Sequence, residues 1–181
     1  LDKGAIPQLL SDSLGISFDT SVGHDFIEDS DDRYDFYHRK EERMPFDIDL
    51  LNKVTKGGLP RKSMTVLLAT TGGGKSLVKC HAAASYLMTG RNCLYITMEM
   101  AEERVAERID ANMMDVTLDE LKVLPRDVYQ KRMDRIKSKC TGQLVIKEYP
   151  TGSAHVGHFR HLLNELKMKK NFTPDVIFID Y

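Results

Sequence analysis

Ala69-Thr70-Thr71-Gly72-Gly73-Gly74-Lys75-Ser76 is the stretch that decides the fold. It follows an apolar run, Met64-Thr65-Val66-Leu67-Leu68, and opens a helical pattern from Lys75 to Met88. Strand, Gly-rich loop and helix in that order are what a phosphate cradle needs. Consecutive glycines let backbone N–H groups turn inward on a phosphate with no Cβ in the way. The new helix adds its positive N-terminal end. Lys75 can reach the β- and γ-phosphates, and the Ser76 hydroxyl can ligate Mg²⁺. Ala69 stands where this pattern usually has glycine, a position that needs only a small residue. The competing reading is a Gly-rich turn before a helix that happens to carry Lys75 and Ser76.

Downstream of the loop, strands and helices alternate. Leu77, Cys80, His81, Ala84, Leu87 and Met88 form the expected buried stripe of the first helix, ended by Gly90. Asn92 to Met98 reads as a strand with Glu99 at its tip. A helix follows from Ala101, with Glu102 and Glu103 suiting its dipole and Val105, Ile109 and Met113 inward. Pro125 starts a helix carrying Tyr129, Met133, Ile136 and Cys140. Leu144 to Ile146 is a strand, and Pro150 to Ser153 leads to a helix with Phe159, Leu162, Leu163 and Leu166 inward. Pro174 precedes a last strand ending at Asp180. The alternation predicts an α/β fold, a parallel sheet covered by helices on both faces, with ligands at the carboxyl ends of the strands. The Lys75 loop, Glu99 and Asp180 all lie at such ends.

Residues 1–45 read differently. Ile6, Leu9, Leu10 and Leu14 form an apolar stripe at helical spacing, ended by Gly15, and little local core surrounds it. Such a helix must bury its stripe elsewhere, on the α/β domain or on a neighbouring subunit. The Glu28-Asp29-Ser30-Asp31-Asp32 run lacks calcium-loop spacing and reads as a solvated linker or a helix N-terminus. A second helix is expected from Asp31 to Arg43, and a short one from Ile48 to Val54. The expected division is a linker segment with its docking helix, 1–45, and an α/β nucleotide-binding domain, 46–181.

Composition narrows the class. At 181 residues, 41% apolar and 29% charged, the chain has material for one domain plus an appendage. No run of about 18 apolar residues exists, so no membrane-spanning helix is expected. Cys80, Cys93 and Cys140 lie in apolar patterns without metal-ligand spacing and read as reduced core cysteines of an intracellular protein. The net charge of −1 hides an asymmetry. Residues 1–50 hold 13 acidic and 5 basic side chains, and residues 51–181 hold 14 and 21. The chain starts at Leu1 and stops beyond a core-strand pattern, so it reads as a piece of a longer protein.

Three further groups carry candidate chemistry. Asp180 ends the apolar run Val176 to Ile179, where a carboxylate can hold Mg²⁺ through its water shell beside nucleotide phosphates. Glu99 is placed to orient or deprotonate the water that attacks a terminal phosphate. Its competing reading is a first-turn acid for the helix at Ala101. His155, His158 and His161 recur every third residue, but at helical spacing they fan over about 120°. They read as an exposed helix edge rather than a metal site.

The chain resembles the replicative hexameric helicases of T4-type bacteriophages, which belong to the DnaB-type, RecA-like motor class. The resemblance is carried by Gly4-Ala5-Ile6-Pro7, Ile16-Ser17-Phe18-Asp19, Val22-Gly23-His24-Asp25, Thr55-Lys56-Gly57-Gly58 and the Ala69–Ser76 loop. Leu94 to Glu103, Arg108 to Met113, Tyr149 to Gly152, Leu162 to Lys167 and Ile179-Asp180-Tyr181 extend it over nearly the whole chain. Gly74-Lys75-Ser76 fits, whereas Thr71-Gly72-Gly73 differs from what is expected of the family's best-known member. The resemblance implies a RecA-like P-loop NTPase core, incomplete at its C-terminal side and preceded by a helical linker, which makes residues 46–181 the N-terminal part of a RecA-like ATPase motor. It implies a ring-shaped homo-hexamer that moves on single-stranded DNA, with ATP or another NTP and Mg²⁺ between subunits. Lys75 and Glu99 then match catalytic positions, Ala69 to Ser76 the nucleotide loop, and Ser76 and Asp180 the metal positions. The helix near residues 5–14 resembles the linker helix that docks on the adjacent subunit. Family partners are a primase and a helicase loader, and the expected location is the cytoplasm of the phage-infected host. DNA-binding loops and the arginine finger are expected beyond Tyr181, so the isolated chain is expected not to unwind DNA. Two other readings remain: a RecA-like recombinase, and a non-catalytic nucleotide-binding or docking module.

Overall fold

A computed structural model of the chain describes residues 23–181. The expected docking stripe from Ile6 to Leu14 lies outside the described residues. The described chain divides into two compact units between Glu41 and Glu42. In the first, helix α1 spans Ser30–His38 and buries none of its residues. It starts one residue earlier and ends sooner than the expected Asp31–Arg43 helix. The acidic run is a helix start: Asp31 and Asp32 lie in its first turn, where the helix dipole favours them. Asp25 Oδ1 accepts from the N–H groups of Ile27 and Glu28, both at 2.9 Å. Arg43, expected at the end of that helix, instead belongs to a strand of the second unit.

The second unit opens with a small antiparallel ribbon. Strand β1 (Arg43–Met44) pairs with β2 (Leu59–Pro60), and helix α2 (Asp49–Val54) lies between them in sequence. Gly58 makes this turn possible. Its φ is +113°, and a Cβ there would sit 2.0 Å from the Met44 carbonyl oxygen. Then come α3 (Lys75–Met88), β3 (Cys93–Thr97), α4 (Glu102–Met114), α5 (Leu118–Val123), α6 (Arg126–Lys139), β4 (Leu144–Glu148), α7 (Val156–Lys170) and β5 (Val176–Asp180). The short helix α5 is an addition to the expected elements; Thr117 and Glu120 close its first turn as a reciprocal capping box.

Strands β4, β3 and β5 form a parallel sheet in that order. The central strand β3 is buried at all five positions, as a parallel strand covered on both faces must be. Its side chains alternate between two cores. Tyr95 packs with Cys80, Ala83 and Ala84 of α3 and Val105 and Ile109 of α4. Leu94 and Ile96 pack on the other face with Leu162 and Leu166 of α7 and with Phe172. Small residues on α3 let that helix lie close to the sheet and to α4. The expected stripe of α3 is therefore shifted. Cys80, Ala83, Ala84 and Tyr86 are buried, while Leu77 and Met88, at its two ends, are exposed beyond the cover of the sheet and α4.

The run Met64 to Leu68, read as the first core strand, is not a strand. Among the described residues it makes no backbone hydrogen bond, and Met64 and Leu68 are exposed. An apolar run becomes a strand where a free edge and cover on both faces are offered together. Among the described residues the outer edge of β5 carries no neighbouring strand, but one of its faces is open: Ile177 and Ile179 are 43% and 39% exposed, while Phe178 packs on the other face. That edge offers hydrogen-bond groups without cover on both faces.

Candidate nucleotide-binding site

The Gly-rich loop is held by its own backbone. Gly72 and Gly74 have φ of +73° and +83°, conformations that side chains disfavour. Gly74 is the N-cap of α3, which has no side-chain cap and no acid in its first turn. The first N–H groups of α3 are thus left for an anion. Gly73 N–H donates to Thr70 O at 3.0 Å. The Lys75 ammonium donates to the carbonyls of Ala69 and Thr70 at 3.0 and 3.2 Å, folding back over the loop. The loop is also tight at Gly73, where a Cβ would meet Thr70 O at 2.9 Å.

The strand ends bring the acids beside this loop. In the register of the sheet, Thr97 of β3 stands opposite Glu148 of β4 and Asp180 of β5. Met98 N–H donates to Asp180 O at 2.8 Å, continuing the β3–β5 ladder past the strand. The Asp180 side chain is 2% exposed. Its Oδ1 accepts from Lys79 Nζ at 2.7 Å and its Oδ2 from the Tyr95 hydroxyl at 3.1 Å. Burial pushes the carboxyl up, but the nearby donors Lys79, Ser76 and Tyr95 outweigh it and hold the group below its ordinary value of 3.8. Tyr95 is pushed well up by burial and by its neighbours Cys80 and Asp180. The Cys80 thiol donates to the Tyr95 oxygen at 3.8 Å.

Glu99 lies exposed on the bend that follows β3. That bend is fixed by Thr97, whose Oγ1 donates to Met100 O at 2.8 Å and accepts from Met100 N–H at 3.1 Å. The helix-start reading of Glu99 is not what the structure shows. The N-cap of α4 is Ala101, and Glu102 is the acid tied into that junction. Its Oε1 accepts from Glu148 N–H at 2.8 Å, and its own N–H donates to Glu148 Oε2 at 3.3 Å.

Lys75 and Ser76 therefore open α3 directly after the Gly-rich loop, Lys79 of the same helix holds Asp180, and Glu99 follows the strand end next to Asp180. Sequence reasoning missed Lys79, Tyr95 and Cys80. The signal for Lys79 was its spacing: it lies three residues after Ser76, on the same helix face. The histidines form no metal cluster; among the described residues no group of three or more metal-ligating side chains gathers. His155 and His158 cap the start of α7, accepting from Gly157 N–H at 3.1 Å and His155 N–H at 3.2 Å. His161 pairs with Glu165 instead, and His81 with Asp47 at 2.8 Å. All three cysteines are free thiols.

The donor set fits Mg²⁺, a hard ion that prefers oxygen ligands, keeps most of its water and binds through one or two protein oxygens plus phosphates. The Ser76 hydroxyl and the Asp180 carboxylate are such a pair of oxygen donors, and the carboxylate already holds a cationic side chain.

The AAA domain family matches residues 31–180. The chain belongs to the AAA domain family. The chain is also similar to a DnaB-like replicative helicase of Enterobacteria phage T4, at 49% identity over 183 aligned positions. That alignment covers 99% of this chain and 38% of the phage T4 protein, so the chain spans well under half the length of its relative. The fold of this AAA domain is a RecA-like P-loop core with its parallel sheet between helices. Among the described residues, no helix is long and apolar enough to cross a membrane.

Proposed function

We propose that the chain is the nucleotide-binding part of an ATP-dependent replicative DNA helicase. The observation that carries this reading is the 2.7 Å ion pair between Lys79 and Asp180, which ties the acid at the end of β5 to the helix that the Gly-rich loop opens. It supports binding of a nucleoside triphosphate with Mg²⁺ by Ala69, Thr70, Thr71, Gly72, Gly73, Gly74, Lys75 and Ser76. The likeness to a replicative helicase over 99% of the chain supports the rest: a homo-hexamer moving on single-stranded DNA at a replication fork in a phage-infected cell, with a primase and a loader as partners. Residues 1–45 act as linker, and residues 46–181 as the front of the motor.

Bound Mg²⁺ supplies charge neutralisation at the β- and γ-phosphates. The rest belongs to the side chains. Lys75 leaves its two carbonyl partners for phosphate oxygens, a trade favoured because a charge-assisted bond to phosphate is stronger than one to a neutral carbonyl. Ser76 and Asp180 would hold the ion, Asp180 through its water shell. Glu99, whose carboxylate makes no hydrogen bond or ion pair among the described residues, is available to orient the attacking water.

Binding of a fluorescent ATP analogue to the 181-residue chain tests this. Lys75→Ala should weaken Mg²⁺-dependent binding at least about tenfold, the loss of one charge-assisted phosphate contact. A chain that binds no nucleotide, or a Lys75→Ala variant that binds as well as the parent, overturns the reading.

A further inference from the structure

Lys79 stands out because the carboxylate it neutralises is the one Mg²⁺ would use. Its ammonium lies 2.7 Å from Asp180 Oδ1 and 2.8 Å from the Ile179 carbonyl oxygen. Its side chain is 14% exposed and that of Asp180 2%, so water screens the pair little. Asp180 Oδ2 is taken by Tyr95. An ionised carboxylate offers about four acceptor sites, so with Lys79 and Tyr95 in place roughly two are left, enough for a metal-bound water. Lys79 reaches from the same turn-and-a-half of α3 that carries Lys75 and Ser76. It cannot swing far while the Ile179 carbonyl also holds it.

We propose that Lys79 is a built-in competitor of Mg²⁺ at Asp180, a positioning residue that sets how much Mg²⁺ the nucleotide site requires. In the nucleotide-free chain its ammonium balances the charge of the buried carboxylate and holds it at the end of β5. When Mg²⁺ arrives with nucleotide, two cations share one carboxylate at close range and low dielectric, where repulsion is strong. The Mg²⁺ requirement is therefore higher than Ser76 and Asp180 alone would give. This inference rests on the proposed nucleotide site.

The test is equilibrium binding of a fluorescent ADP to the full chain across a Mg²⁺ titration, with no turnover. Lys79→Met should lower the half-saturating Mg²⁺ about tenfold, and Lys79→Arg, which keeps the charge, should hold it within about twofold of the parent. An unchanged or raised midpoint in Lys79→Met, with nucleotide still bound at saturating Mg²⁺, overturns the inference alone. Failure of the parent chain to bind nucleotide at any Mg²⁺ concentration overturns the proposed function, and the inference with it. Should Lys79→Met not fold, the parent chain decides. The Lys79 ammonium ¹⁵N resonance, assigned by its absence in Lys79→Arg, should move with Mg²⁺·ADP and stay in place with ADP in EDTA. Equal movement in both, or movement in neither, overturns the proposal.

Discussion

Two apolar runs of five residues have opposite fates in this molecule. Cys93 to Thr97 becomes the central strand, buried at every position and hydrogen-bonded on both edges. Met64 to Leu68 is at least as apolar, yet forms no strand and leaves Leu68 90% exposed. The runs differ little in β-propensity and greatly in surroundings. The first has a parallel strand on each side, α3 and α4 on one face and α7 on the other. The second has neither neighbour nor cover. Strand formation here is a property of the site that receives the run rather than of the run itself.

Hydrogen exchange gives the largest contrast. The amides of Leu94, Tyr95 and Ile96 should exchange only on global opening, on the order of 10⁴-fold slower than unprotected amides or more. The amides of Val66, Leu67 and Leu68 should exchange at nearly the unprotected rate. Equal protection of both runs breaks the comparison. Truncation comes next. Ile96→Ala should cost about 2–5 kcal/mol in denaturant unfolding, the range for a buried aliphatic deletion. Leu68→Ala should stay within about 0.5 kcal/mol, as at exposed sites; a larger cost would mean that the run is packed in solution.

The smallest effect sharpens the comparison from the rim of the fold. Asp110 of α4 accepts from the Tyr129 hydroxyl at 2.9 Å. Burial raises its carboxyl above the ordinary value of 3.8, and the Tyr129 bond offsets only part of that. A raised folded-state value means that stability is fully present below the unfolded value and falls as pH rises through the folded one. Asp110→Asn should therefore raise the unfolding midpoint slightly at pH 7, with the gain vanishing below about pH 4. A variant equally or less stable at pH 7 would show that the ionised group is at ease where it is.

The fold was legible wherever pattern and cover agreed. The helix Lys75–Met88 and the end of β5 at Asp180 fall where spacing put them, because a 3.6-residue period and a bounded apolar run each suit one kind of element. The exposed ends of α3 were not legible. Periodicity names a face, but the extent of burial along it depends on how far the neighbouring elements reach. Glu99 and Glu102, close in sequence and alike in chemistry, were separable only by contacts: Glu102 bonds to the Glu148 backbone, and Glu99 stands clear.

By itself the sequence determined the Gly-rich loop, the acids at strand ends and the alternation of strand and helix, because each depends on local backbone freedom or on a short repeat. Only the tertiary structure decided that Lys79 and Tyr95, rather than Lys75, would hold Asp180. It also decided that Met64 to Leu68 would stay outside the sheet. Residues about a hundred positions apart meet through the β3–β5 register and the packing of α3 on the sheet. Charge and burial then select among the candidate partners, and neither quantity is written in any local stretch of the chain.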